Sequence, residues 1–182
     1  MGTETPPPDP ALLAAYRAAE YVTPVGGRVC RFQVDRPTPA PLGAWLDAEG
    51  PAGWLSAFNP GSRPLPILEN LERHQALWDR LQDEGLTASA GYAADPAGVW
   101  PDETSLLVFA IGLARLNRLA LEFGQLAFLW LEPGEPARLW LTGPSGGRPA
   151  PADPGPGGPG TGVPGAGAPA PRAPAAGGSG RS

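Results

Sequence analysis

The chain has 182 residues, with 26 Pro, 26 Gly, one Cys, one His and a formal charge of −5. Length and composition allow one domain of about 130 residues around a single core. The acidic balance persists within residues 11–143, ten Arg against fifteen acids, and works against binding to nucleic-acid backbones or anionic membranes.

All thirteen basic residues are Arg, and with so much Ala, Pro and Gly this points to a GC-rich coding bias. There is no run of eighteen apolar residues and no charged-then-apolar leader at the N-terminus, so the expected location is the cytoplasm.

Residues 1–10 read as a flexible, Pro-rich lead-in that ends in Asp9-Pro10, an N-cap and N1 pair for an Ala-rich helix running to Glu20. Residues 28–35 alternate, with Cys30, Phe32 and Val34 on one face, which predicts a half-buried strand. Leu42 to Glu49 predicts a helix stopped by Gly50-Pro51. Trp54 to Phe58 is apolar on both faces and predicts a central strand, halted by the turn residues Asn59-Pro60-Gly61-Ser62.

A long helix is predicted from Pro66 to Gly85. At 100° per residue Ile67, Leu71, Trp78 and Leu81 share its inward face, with His74 in the middle of that face and Asn70 on its shoulder. Thr87 to Ala94 predicts a strand, Asp95 to Gly98 a turn, and Leu106 to Ile111 a buried strand. Leu113 to Phe123 predicts an amphipathic helix ending at Gly124. Leu126 to Leu131 and Ala137 to Thr142 predict two more strands, joined by a Pro/Gly turn.

Helices between strands favour parallel crossovers, whereas the last short turn requires an antiparallel pair. The expected fold is therefore an α+β two-layer sandwich spanning residues 11–142. It would have a mixed sheet of about five or six strands and three or four helices, mostly on one face. From Gly143 to Ser182, 23 of 40 residues are Gly or Pro, without the strict three-residue period of collagen, so this segment is expected to be a disordered Pro/Gly/Ala-rich tail.

Four runs stand out in order: Phe58-Asn59-Pro60-Gly61-Ser62; Glu69-Asn70 with Arg73; Trp100-Pro101-Asp102-Glu103 with Ser105; and Phe123-Gly124-Gln125 before Leu126-Ala127-Phe128-Leu129-Trp130. Together they resemble the uncharacterised bacterial domain-of-unknown-function family 3293, from about Tyr16 to Leu141. The chain departs from that pattern at Phe58, where Trp is usual, and at His74, where Asn is frequent. The family carries no established activity, so the resemblance implies a domain and not a chemistry.

The catalytic inventory is thin. Cys30 and His74 lie on apolar faces of different elements and read as core residues rather than a nucleophile and its base. Zinc needs three or four imidazole or thiolate ligands, and only two exist. Glu69, Asp102 and Glu103 with Asn70 form the only carboxylate set worth weighing for Mg²⁺, and solvated acids explain them better. The Asn59 to Ser62 loop with Arg63 has the look of a phosphate cradle. It lacks the glycine spacing of the known cradles, and Pro64 and Pro66 remove donors.

No cofactor or metal is expected. The expected function is binding of a small polar ligand, or of a protein partner, through a polar pocket at one end of the sheet. Its candidate residues are Asn59, Ser62, Glu69, Asn70, Arg73, Trp100, Glu103 and Gln125. The runner-up is a hydrolase or transferase with Glu103 or Glu69 as acid/base and Arg73 opposite negative charge. A purely structural polar network is the third reading. For Glu103 to join Asn59, the strand from Leu106 must run antiparallel to the strand ending at Asn59.

Overall fold

The computed structural model describes residues 9–152. Four helices, α1 (Pro10–Ala18), α2 (Ala40–Glu49), α3 (Ile67–Asp83) and α4 (Leu113–Glu122), surround one sheet of eight strands. The strands are β1 (Glu20–Val25), β2 (Arg28–Phe32), β3 (Ala52–Leu55), β4 (Ala88–Ala94), β5 (Glu103–Phe109), β6 (Ala127–Leu131), β7 (Arg138–Leu141) and β8 (Arg148–Pro149). Their order across the sheet is β2-β1-β4-β5-β3-β6-β7-β8.

Every neighbouring pair is antiparallel, so the expected mixed sheet of five or six strands is corrected on both number and direction. The crossover rule still holds in a displaced form. Helix α3 joins β3 to β4, and α4 joins β5 to β6, and each pair runs parallel. The sheet then inserts β5 between β3 and β4, and β3 between β5 and β6, so the parallel strands never touch.

The two-layer expectation is corrected as well. Side chains alternate along the central strands, with Trp54, Leu107, Leu129 and Leu131 on one face and Leu55, Leu106, Val108, Phe128 and Trp130 on the other. The first face is covered by Leu13 of α1 and by Leu42 and Leu46 of α2. The second is covered by Leu77 and Leu81 of α3 and by Leu116, Leu119 and Ala120 of α4. The first face is concave: the backbone N–H of Asp35, just after β2, donates to the carbonyl of Ala137, just before β7, at 2.9 Å. Tyr21, Phe32 and Trp54 meet inside the curl, with the Trp54 ring edge-on to the other two.

Close helix packing explains one glycine. A Cβ on Gly53 in β3 would sit 2.3 Å from Cδ2 of Leu116, so the bare backbone is what lets α4 lie against the strand.

Two segments depart from the element assignments made on sequence. Glu20, expected to end the first helix, instead begins the strand Glu20–Val25, and α1 stops at Ala18. Past residue 142 the chain is still part of the fold: β8 pairs with β7, the N–H of Ala150 donates to the Leu139 carbonyl at 2.8 Å, and Asn117 bonds both the N–H and the carbonyl of Gly143. The boundary expected at residue 142 is therefore placed too early, and residues 1–8 and 153–182 lie outside the described residues. Among the described residues, no helix is long and apolar enough to cross a membrane.

Candidate functional site

The polar residues gather where β3 ends and β5 begins. Because β3 and β5 are antiparallel, with Leu55 opposite Leu106, Glu103 at the start of β5 arrives beside the loop that leaves β3. Asn59 Nδ2 donates to Glu103 Oε2 at 3.2 Å, the approach expected from the sequence. Asn59 adopts the left-handed conformation at φ 47°, as do Gly61 at 63° and Ser62 at 57°. Asn and Gly tolerate this region, and Ser does so at a cost.

The loop is fixed from three directions. Asn70, buried in the first turn of α3, accepts the backbone N–H of Asn59 at 2.8 Å and donates to Asn59 Oδ1 at 2.8 Å and to the Leu65 carbonyl at 3.3 Å. Asn59 Oδ1 also accepts the N–H of Leu65 at 3.0 Å. Arg73, one turn further along α3, donates from Nε to the Ala57 carbonyl at 2.9 Å and from Nη2 to the Phe123 carbonyl at 2.5 Å. Gln125 donates to the Phe58 carbonyl at 2.9 Å, and the N–H of Gly61 donates to the Gly124 carbonyl at 2.8 Å. Asn70, Arg73 and Gln125 thus each donate to backbone carbonyls or to Asn59.

This anchoring sets the rotation of α3, and it corrects the predicted helix face. Asn70, Leu77 and Leu81 are buried, while Ile67 and Leu71 stand 62% and 47% exposed. The shoulder carrying Asn70 is turned inward because its amide completes the loop; an apolar residue there would leave the Asn59 N–H unpaired.

The remaining candidates divide. Ser62 reaches the hydroxyl of Tyr16 on α1 at 3.0 Å. Glu69 is exposed and takes no part in the network. Trp100 is also outside it: its backbone N–H, with those of Ala97 and Val99, is held by the Asp95 carboxylate, and its ring is 61% exposed. Those three N–H groups hold the Asp95 carboxyl below its ordinary pKa.

Glu103 is the carboxyl of the cluster. Burial raises its pKa, against the opposing effect of the nearby Ser56 hydroxyl and the Asn59 amide. The Tyr16 phenol is also pushed up by burial, with the Glu103 charge adding to the shift and the Ser62 bond opposing it. Tyr21 is raised for the same first reason, and its hydroxyl donates to the Tyr16 carbonyl at 2.7 Å. Tyr16, Tyr21 and Ser56 are site neighbours that sequence reasoning missed. Tyr16 and Tyr21 come from elements folded over from the other end of the chain, and no local pattern marks them.

Two grooves, ≈ 360 Å³ beside Trp78, Leu81 and Ala88 and ≈ 280 Å³ beside Trp45, Glu49 and Phe109, flank Gly85–Thr87 at the opposite end of the sheet. Among the described residues no grouping of three or more His, Cys, Asp or Glu side chains is arranged to hold a metal ion.

Comparison with known proteins adds one finding. Residues 55–128 match the family model described as a protein of unknown function, DUF3293, and this segment holds the end of β3, the Asn59 loop, α3, β4, β5, α4 and the start of β6. The family resembled by the sequence motifs is thus the one matched, over a shorter span than Tyr16 to Leu141. No curated protein and no solved structure matches the chain.

Proposed function

We infer that this protein binds a small polar ligand where Glu103, Asn59, Ser62 and Tyr16 meet at the end of the sheet. The observation that carries this reading is Glu103, a half-buried carboxyl with a raised pKa whose hydrogen-bonding neighbours are neutral side chains. Burying such a group costs stability. The left-handed Ser62 beside it adds local strain of the sort that gathers at binding sites.

Asn70, Arg73 and Gln125 serve the site by holding its loop, and Glu69 and Trp100 lie outside it. The form of this reading that has a protein partner draws on Ile67, Leu68 and Leu71, apolar and exposed on the first turns of α3 beside the same loop.

A second reading, acid/base catalysis, draws on the raised pKa of Glu103 alone. Its proposed oxyanion partner is engaged elsewhere, since Arg73 points at two backbone carbonyls. A thermal-shift screen of metabolites against the whole chain and against Glu103→Gln tests the binding reading. Ligands that raise the melting temperature only when Glu103 is present support it, and a panel that acts alike on both proteins overturns it. Turnover of any hit then separates enzyme from binder.

A further inference from the structure

We propose that the group held at this site is an organic ammonium, with its N–H donors directed at the Glu103 carboxylate and at the hydroxyl oxygens of Tyr16 and Ser62. This deepens the preceding reading and rests on it.

The recorded donors of the cluster point at its own oxygens, while its carboxylate keeps acceptor capacity. Asn70 accepts from Asn59 through its oxygen, and its amide donates twice. The Asn59 oxygen accepts twice and its amide donates to Glu103. Arg73, the cation of the network, spends Nε and Nη2 on the carbonyls of Ala57 and Phe123. The Ser56 hydroxyl donates to the Thr104 carbonyl at 3.0 Å. Acceptor capacity stays open on the Glu103 carboxylate and on the Tyr16 and Ser62 hydroxyl oxygens, whose mutual bond uses one of their two hydrogens. An –NH₃⁺ group brings three donors and no acceptor, the complement of that set.

Charge selects the same class. Among the described residues Glu103 is in none of the ion pairs, although other acids of the fold, Glu20, Glu84, Glu122 and Glu135 among them, have an arginine partner. A half-buried carboxylate without a cation is destabilised until one arrives. An anionic ligand would meet a negative group in a chain of net charge −5, and a neutral polyol would leave the charge uncompensated. A metal ion is disfavoured because the cluster supplies one carboxylate and no second hard anionic ligand. The raised pKa of Glu103 fits a site that binds its cation more tightly as the carboxyl ionises.

The test titrates the whole chain at low salt with three probes of similar size, n-butylamine hydrochloride, sodium butyrate and 1,4-butanediol, while the side-chain carboxyl carbon of Glu103 is followed by NMR. Butylamine is expected to shift the Glu103 signal saturably, at least tenfold more tightly than either other probe, and more tightly as pH rises through the Glu103 titration. The response should vanish in Glu103→Gln, weaken severalfold in Tyr16→Phe, and persist in Glu69→Gln, which controls for general attraction of cations to an acidic protein.

If butyrate or butanediol shifts Glu103 and butylamine does not, the ammonium assignment is overturned while the polar-ligand site stands. A Glu103 signal that ignores all three probes overturns the assignment too. The polar-ligand site falls with it only if the metabolite screen also shows no Glu103-dependent hit. Should Glu103→Gln fail to fold, Tyr16→Phe carries the decision: butylamine affinity unchanged by that variant overturns the proposal.

Discussion

Asn59 and Asn70 hold each other across the loop between β3 and α3, the N–H of Asn59 donating to Asn70 Oδ1 and Asn70 Nδ2 donating back to Asn59 Oδ1, both at 2.8 Å. Asn70 is 3% exposed, so water cannot replace it. Replacing Asn70 by Ala strands the Asn59 N–H and the Leu65 carbonyl, and is expected to destabilise the fold by about 3 kcal/mol. A urea midpoint for Asn70→Ala within error of the wild type would refute the anchoring role.

The pH dependence of stability should carry two opposing contributions. His74 has a buried Nδ1 with no hydrogen-bond partner, stands edge-on to Phe58, and is held below its ordinary pKa of 6.5 by burial. Its folded pKa is depressed, so the stability it contributes is present above about pH 6.5 and is lost as pH falls through the folded value. Glu103 has the opposite sign: raised above 4.5, it contributes most below that pH and loses the contribution as pH rises through its folded value. Denaturation midpoints measured between about pH 4 and pH 8 should therefore show a flatter acid limb in His74→Phe and a flatter decline above pH 4.5 in Glu103→Gln. The His74 assignment fails if its variant keeps the full acid limb.

Two strand glycines are expected to resist substitution unequally. The three atoms nearest a Cβ at Gly53 all belong to the Leu116 side chain, whereas at Gly91 it meets the backbone oxygen of Val22 and Cη2 of Trp54, each at 2.5 Å. Side chains can shift more cheaply than a paired strand, so Gly91→Ala should cost more than Gly53→Ala, and both should fall in the range of about 1–3 kcal/mol or above. Equal melting temperatures for the two variants would contradict this.

Much of the fold is legible because long apolar runs and helix stops mark it: α2, α3, α4 and the strands β3, β5, β6 and β7 all lie where periodicity puts them, within a few residues. Strand β1 is hidden because it begins almost directly after α1 and contains Pro24, which reads as a breaker. The sheet tolerates that proline because pairing with β4 stops at Val22. Strand adjacency is not readable from crossover rules, which constrain direction but not which later strand is inserted between two parallel ones.

At the site, the meeting of Asn59 with Glu103 comes from the antiparallel pairing of β3 and β5. Asn70, Arg73 and Gln125 sit where expected, each donating to backbone carbonyls or to Asn59. Arg73 and Gln125 illustrate why residue type alone does not reveal a ligand: at loop–helix junctions long polar side chains satisfy backbone carbonyls as readily as substrates. Tyr16 could not be placed at all, since its contact with Ser62 spans 46 residues of chain.

The boundary of the domain gives the last expectation. A cut after Thr142 looks harmless in sequence, because residues 143–182 are rich in Gly and Pro. Yet residues 143–152 supply β8, the Ala150 to Leu139 bond, and the Gly143 backbone that satisfies both ends of the Asn117 amide. Asn117 is 2% exposed on α4, so removing Gly143 leaves a buried amide without partners. Truncation after Ala152 keeps all of these bonds, whereas truncation after Thr142 loses them and should lower stability by about 2–4 kcal/mol relative to the longer protein. The measurement is a pair of chemical denaturation curves in one buffer, and coincident midpoints would show that the Asn117 and β8 contacts contribute nothing to the fold.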